Sequence, residues 1–517
     1  MNDNSGAAPT QQQQQQQASG HEDDITLELL ESKNSSTVQT GATTETVQTT
    51  ADEEHAIDSE AHNSITHEQN VMAVNAPQWS PMRIFLFFFF KFGIHAFGGP
   101  FAQIAHLKDE LVLHRKWITI EHFHRVFALY QILPGPEAAE LCMFFGCLAG
   151  GRLGGLAAGL GFALPGFALM LLFSYLYSII GLSNVHVGAS FLALQPIVAA
   201  MVMRAVFKIG EHAFGGHGSE TNSNSSDDGA KSAGNHRWLY AIAILTTFST
   251  ALRINYFISL AVFSIVYVLV TKNWKRLAIV VVIVQYAAIF TYIGIKGLPG
   301  QSSLALGIAP SAGPGYVLAM NLVAGLLSFG GAYTALPLIQ AESVYLGNWL
   351  SSSVFLDGIG ITNILPAPMV IFTTFVGFQG GLGYGEQHGS RYGYAFLDAI
   401  LATIGILFPC FLFTIIGHDI LARVAKIKAV VAVFDGVTAA VVGVVATTAL
   451  DLLRAAVENQ PAAFAKLHGK ESSNGYSAVA AVVYVLTLAI LFTAKFPHMH
   501  SIIVILGAIG GQFMFVA

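Results

Sequence analysis

The sequence predicts an all-α, polytopic membrane protein made of two copies of one unit behind a disordered N-terminal tail. Three observations predict it. Apolar runs of about 20 residues, each long enough to cross a bilayer as a helix, recur through the C-terminal four-fifths of the chain. Charged residues make up only 11% of the 517 residues, against roughly a quarter in soluble domains. The chain also matches itself at a constant offset of 232 residues (329 − 97).

The tail spans residues 1–77. It holds an unbroken glutamine run, Gln11 to Gln17, among Ser, Thr, Asn and acidic residues. Thirteen Asp and Glu stand against one Lys, Lys33, for a net charge of −12. Such a segment cannot bury enough apolar surface to fold. It lacks the apolar core and basic flank of a signal peptide. The whole chain has 25 basic and 31 acidic residues, so the body is net +6 and the overall −6 comes from the tail. A basic body suits an anionic substrate, although Lys and Arg marking cytoplasmic loops is the simpler reading. Cys142, Cys147 and Cys410 lie in apolar surroundings and form no disulfide or zinc pattern.

Apolar segments fall near 83–97, 122–147, 155–181, 187–207, 238–252, 254–271 and 277–295, then 316–337, 352–379, 393–416, 428–452, 476–494 and 500–516. Several are short or broken by Gly and Pro. The expected organisation is a first repeat at 78–210, a polar flexible linker at 211–237, connecting helices at 238–315, a second repeat at 316–452, and a C-terminal loop with further helices at 453–517. Arg204, Lys208, Lys231 and Arg237 surround the linker, and Lys272, Lys275 and Arg276 follow a two-helix hairpin. Two crossings return to the same side, so both clusters are expected on the cytoplasmic face.

The repeat is explicit. Phe97-Gly98-Gly99 recurs as Phe329-Gly330-Gly331, and Glu110, Val112, Trp117 and Phe123 meet Glu342, Val344, Trp349 and Phe355. Ile132-Leu133-Pro134 meets Ile364-Leu365-Pro366, and Pro136 meets Pro368. These are 11 identities in 40 gap-free positions, where chance gives about three. Repeated halves in an apolar chain mark a secondary transporter, with its site near Gly/Pro-interrupted segments at matching positions.

Each motif has a physical reading. Paired glycines permit positive φ and close backbone approach, hence a helix break or a tight helix contact. A broken backbone at membrane depth must be covered by protein or water. Pro134-Gly135-Pro136 ends one helix and can start another, whose free N–H groups and positive dipole end could face an anion. The bland alternative is a proline kink that only shapes packing. Glu137 and Glu140 follow on one helix face. Glu137 is either a proton carrier in an apolar setting or a first-turn acid interacting with its own helix dipole. The second copy has Met369 and Phe372 there, so the halves are not chemically equivalent.

The segment between the motifs carries His106, Lys108, Glu110, His114, Arg115, Lys116 and Trp117. It reads as an interfacial loop with a Trp anchor, or as a vestibule where Lys108 and Arg115 attract an anion. Glu110 and Glu342 are expected to hold structural hydrogen bonds. The candidate site residues are Gly98, Gly99, Gln103, Pro134, Gly135, Pro136, Gly330, Gly331, Asn363, Pro366 and Pro368 for substrate, with Glu137 and Glu140 for proton coupling. The sequence holds no HExxH, phosphate-binding loop or nucleophile elbow, so no enzyme is expected, and no cofactor or metal. A non-transporting membrane scaffold is the alternative of another class.

These motifs carry a family resemblance. Phe97-Gly-Gly-Pro-Phe-Ala-Gln-Ile-Ala105, Glu110, Arg115-Lys-Trp117, Leu133-Pro-Gly-Pro-Glu-Ala138, Gly154-Gly155 and Gly161-Phe-Ala-Leu-Pro-Gly166 resemble the first half of the chromate ion transporters. Phe329-Gly-Gly-Ala-Tyr-Thr-Ala-Leu-Pro337 through Phe372 resembles the second half. The resemblance implies two inverted halves of about 10–13 spans in all. It also implies proton-linked chromate efflux. Sulfate, the nearest chemical analogue, gives a second reading: an inorganic-anion uptake carrier. Expected partners are the oxyanion, protons and the lipid bilayer, with a homodimer left open and no nucleic acid. Pro366-Ala367-Pro368 departs from the family's Pro-Gly-Pro, so that break is expected to differ in geometry. The acidic tail lies outside the family core and suggests a eukaryotic host, in a plasma or intracellular membrane.

Overall fold

The computed structural model describes residues 74–131, 133–180, 184–214, 226–329, 331–417, 427–468, 475–493 and 499–515. Among these, every regular element is helical, and the β contacts are two isolated bridges, Val74 with Ile118 and Pro134 with Phe329.

Helix α1 (Pro81–Phe88) continues as a π-helical turn, Phe89–Gly93, then breaks. The chain resumes as α2 (Gly99–Leu107) and a second π turn, Lys108–His114. Side chains meet across the break in antiparallel order. The Phe92 ring lies 5.1 Å from His106, Lys91 Nζ lies 3.1 Å from a Glu110 oxygen, and Arg115 stacks 4.8 Å over Phe87. The chain therefore enters the body and returns to the face it left.

α3 (Ile120–Tyr130) and the start of α4 (Glu137–Ile180) do the same. His122 lies 6.2 Å from Phe144, Trp117 lies 6.1 Å from Phe145, and Trp79 N–H donates to the Ala149 carbonyl at 2.8 Å. α4 is not one rod. Gly150 (φ −161°, ψ 25°) and Gly151 (φ 62°, ψ −158°) are non-helical and reverse the chain before residues 152–180. Residues 137–149 reach only about 20 Å at 1.5 Å per residue, against a core of about 30 Å.

The expected span at 83–97 is thus one arm of a re-entrant hairpin whose return arm, 99–114, contains the expected interfacial loop, and the expected span at 122–147 is a whole re-entrant hairpin. Two half-helices joined by a short break have the apolar composition of one span, so composition alone does not reveal the reversal.

The connecting helices are α5 (Val185–Phe214), α6 (Ser226–Ala251), α7 (Tyr256–Thr271) and α8 (Lys275–Lys296). The second half repeats the plan. α9 (Pro314–Leu326) breaks and resumes as a 3-10 turn, Ala332–Ala335, then α10 (Leu336–Gln340) and a π turn, Ala341–Leu346. α11 (Ser352–Ile364) breaks and returns through Met369–Ile371 into α12 (Phe372–Gln387), which folds back on α13 (Arg391–Ile415). α14 (Lys428–His468), α15 (Gly475–Thr493) and α16 (Met499–Phe515) complete the described chain.

The repeat survives in detail. Glu110 and Glu342 both pin hairpin mouths: Glu110 holds Lys91 and Arg115, and Glu342 accepts the backbone N–H groups of Leu306, Gly307, Ile308 and Ala309 at 2.6, 3.0, 2.8 and 2.8 Å. Lys116 (φ 53°) and Asn348 (φ 47°) take the same left-handed conformation. Thr119 and Ser351 accept N–H groups at the starts of α3 and α11. Gly93 faces Gly161 and Pro165, as Gly325 faces Ile406 and Pro409. Pro165 and Pro409 are 244 apart rather than 232, so the second copy has twelve more residues before this point.

Five helical segments, 152–180 and α5 to α8, separate the two sets of hairpins. Asn255 Nδ2 donates to Ala305 at 2.9 Å and Arg253 Nη1 to Pro299 at 3.3 Å, so the loops after α6 and α8 share a face with the Glu342 mouth. An odd number of crossings puts that face opposite Trp79, Trp117 and Ala149. The halves are inverted. By length and composition alone, five of the described helices qualify as spans, α4 taken whole, α5, α8, α13 and α14, and α7 is a shorter apolar helix.

Three of the expected divisions fall within described elements. Val74 to Trp79 pack on the first hairpins through Asn75 N–H to the Trp117 carbonyl at 2.7 Å, and the rest of the expected tail, 1–73, lies outside the described residues. Helix continues through Phe214 and resumes at Ser226, narrowing the linker expected at 211–237, and 215–225 lie outside the described residues. α14 runs through the boundary placed at 452 as one helix, Lys428–His468.

A side chain at Gly93 would collide with the Gly161 carbonyl and the Pro165 ring. Gly93→Val is expected to destabilise the protein by about 1–3 kcal/mol, lowering its unfolding temperature in detergent. Gly383→Ala, which meets open space in α12, is expected to leave it unchanged or slightly raised.

Candidate functional site

The four hairpin tips meet in pairs, one from each half. Gly135 N–H donates to the Ser328 carbonyl at 3.1 Å, beside the Pro134–Phe329 bridge. At the 232-residue offset, the matching pair is Ala367 with Ala96. There the Gln103 amide joins the strands, donating to Ala96 O at 2.7 Å and Ala367 O at 3.1 Å. The second half has Ala335 at the position of Gln103, and Gly135 and Ser328 are joined by the backbone hydrogen bond itself. The turn at Ala332–Ala335 also packs on Met369–Ile371, linking the two tips of the second half.

Gly98 takes a left-handed conformation (φ 87°) as the N-cap of α2, and Gly99 follows with φ 79°. Gly135 has φ 157°, and a Cβ there would run into Cys410 and Glu140. Ala367 does not share the positive φ of Gly135, so the two breaks differ in geometry, as the alanine predicts. Its methyl instead seats against Gly166 of α4, together with the Pro366 carbonyl. Pro368 caps the Met369–Ile371 turn. Gly331 (φ 110°) opens the return of the third hairpin. Gly330 and Ile132 lie outside the described residues.

Glu137 is the first residue of α4, directly after Pro136, and is 5% exposed. Its Oε1 lies 3.9 Å from where a Cβ on Gly331 would stand, so this carboxyl faces the opposing half. Glu140 is fully buried, with neither oxygen hydrogen-bonded, against Gly135 and Cys410.

Other candidates sit apart. Arg115 pairs with Glu110 at 2.8 Å at a hairpin mouth, so its charge is already matched, and Lys108 begins the π turn on the way to that mouth. Asn363 donates to the Ile359 carbonyl of its own helix at 2.9 Å. One residue escaped sequence reasoning. Ser328 is 1% exposed, and its hydroxyl has no hydrogen-bond partner. Its counterpart is Ala96, so the self-comparison carries no signal for it.

Helix starts at the mouths are mixed: Ser80 and Gly313 provide no side-chain cap for α1 and α9. Thr119, Asn255 and Ser351 cap mouth or loop helices with side-chain oxygens. Gly98, Gly331 and Pro368, at the tips, provide no side-chain cap. Uncapped first-turn N–H groups at the positive end of a helix dipole are ready donors to anionic oxygens.

Removing the Gln103 amide leaves two buried carbonyls without their donor. Gln103→Leu is expected to cost about 1–3 kcal/mol in thermal unfolding.

The family model described as chromate transporter matches residues 83–295 and 316–512. The "Chromate transport protein" of Pseudomonas aeruginosa is 37% identical over 373 residues, covering 72% of this chain and 81% of that protein. A "Probable chromate transport protein" of Synechococcus elongatus is 25% identical over 378 residues, covering 72% and 85%. The "Chromate transport protein" of Cupriavidus metallidurans is 23% identical over 397 residues, covering 76% and 87%. No solved structure matches the chain. With both inverted halves spanned by the family model, the chain belongs to the chromate transporter family and is an integral, multi-pass membrane transporter.

Proposed function

We propose that the protein is a secondary active carrier of chromate, exporting the dianion in exchange for protons, and that the substrate sits where the four tips meet. The observation that carries this reading is the pairing of broken helices from inverted halves, Gly135 on Ser328 and Gln103 on Ala367, beside uncapped helix N-termini. Inverted repeats that meet at broken helices suit alternating access, in which one half rocks against the other around a fixed site. Gly98, Gly99, Gly135, Gly331 and the backbone around Pro366 and Pro368 supply close backbone approach. Pro134 and Pro136 interrupt the helical ladder. Glu137, facing Gly331, is the carboxyl poised to exchange a proton as the substrate moves, and Glu140 lies behind it.

The names of the bacterial relatives support chromate as substrate. They lend nothing to a eukaryotic host. Arg115, Lys116, Arg152, Lys272, Lys275 and Arg276 gather on the face of the first-half mouths, against Arg253, Lys296 and Arg391 on the other. The positive-inside rule makes the first face cytoplasmic.

Sulfate uptake is the second reading. Backbone N–H donors recognise a tetrahedral dianion by charge and shape, and chromate and sulfate share both.

Labelled chromate accumulation in a chromate-sensitive host tests the proposal. The expected result is lower accumulation with the protein, abolished by a protonophore. Higher accumulation that sulfate suppresses makes it an importer. Pro136→Ala and Glu137→Gln are each expected to reduce transport at equal membrane abundance, and normal transport by both removes them from the mechanism.

A further inference from the structure

A further buried acid lies on the other side of the tips. Asp357, on α11, is 1% exposed. It accepts the Tyr177 hydroxyl at 2.8 Å and the Gln195 amide at 3.1 Å. Tyr177 belongs to the first-half span 152–180, Gln195 to α5, and Asp357 to a re-entrant helix of the second half. The cluster thus ties together parts that alternating access must move relative to one another. Tyr177 is the titratable group that acts on Asp357, and among the described residues no charged side chain does.

Three features set this cluster apart from a helix-knitting contact. The repeat does not require it, because the matching residue of the first half is Arg125, which is exposed. Apolar side chains of similar volume would hold the same helices at no cost in buried polar groups. The third is an imbalance. Gln195 Oε1 is buried and has no partner. As a carboxylate, Asp357 can only accept, and it leaves that oxygen unsatisfied. When Asp357 takes up a proton it gains an O–H, which can donate to the Gln195 carbonyl oxygen after the amide turns over. The cluster therefore has two hydrogen-bonded arrangements that differ by one proton.

The position is equally specific. Asp357 stands eight residues before Leu365, about 12 Å along the helix from the tip, toward the face of the second-half mouths. Glu137 and Glu140 begin the helix that leaves the tips for the opposite face.

We infer that Asp357 is a proton-binding residue of the transport cycle, switched by Tyr177 and Gln195, and serves the face opposite Glu137 and Glu140. This rests on the proton-linked reading above. A proton from the aqueous phase adds to the carboxylate as the Gln195 amide reorients, and the reverse step releases it. No other reactant is involved.

The test uses the purified full-length protein in proteoliposomes, with chromate as substrate, tracing chromate and internal pH together. The readout is protons moved per chromate. Asp357→Asn is expected to lower that ratio relative to the wild type. A structural role alone lowers both fluxes together and leaves the ratio unchanged, which overturns the inference. If Asp357→Asn is inactive, Tyr177→Phe decides. It keeps the carboxyl but removes one donor to its charged form, so the pH profile of transport is expected to move to higher pH. An unmoved profile overturns the inference. A wild type that moves chromate without protons sinks the proton-linked reading itself, and that failure is visible before any variant is compared.

Discussion

Backbone N–H and C=O groups released at membrane depth have no water to pair with, and the architecture follows from how they are covered. Each half breaks two helices inside the body. Each break is then closed by the other half: Gly135 on Ser328 directly, and Ala367 on Ala96 through the Gln103 amide. The halves thus cover part of each other's exposed backbone at the tips. The acids at the mouths complete the arrangement. Glu110 and Glu342 occupy matching positions but use different partners, two cations in one half and four backbone N–H groups in the other.

Much of this was legible in the sequence. The offset of 232 located both copies, and the glycine and proline motifs marked the breaks. The shared Trp, Glu and Pro positions each proved to have a structural duty. What stayed hidden was direction. A half-helix, a break and a second half-helix give the same hydropathy whether the chain continues or turns back, so α3 with the start of α4 read as one span, while α1 with its π turn read as a span by itself. The reversal at Gly150-Gly151 falls in the gap between the segments 122–147 and 155–181, so this break was legible. Ser328 and the Asp357 cluster were beyond reach because their partners lie in the other half and their repeat counterparts are different residues. Gln103 was singled out, but its role depends on a carbonyl 264 residues away.

Chemistry follows the places where the copies diverge. Glu137 and Glu140 face Met369 and Phe372 in the repeat, Arg125 faces Asp357, and Gly135 faces Ala367. The shared residues build the scaffold, and the unshared ones place carboxyls on opposite sides of the tips. An inverted pair with identical halves would present the same groups to both faces. In the proton-linked reading proposed above, the asymmetry offers each face its own carboxyl. The same divergence separates Arg115, matched by Glu110 at a hairpin mouth, from the region where the tips converge.

The claim on which the account turns is that the anion binds where the tips meet. Chromium has an absorption edge accessible to anomalous diffraction, so crystals grown with chromate can locate the metal atom directly. The expected peak lies among the backbones of Gly98, Gly135, Gly331 and Pro368, near the Glu137 carboxyl. A peak confined to the hairpin mouths around Arg115 or Lys108, with none at the tips, would contradict it.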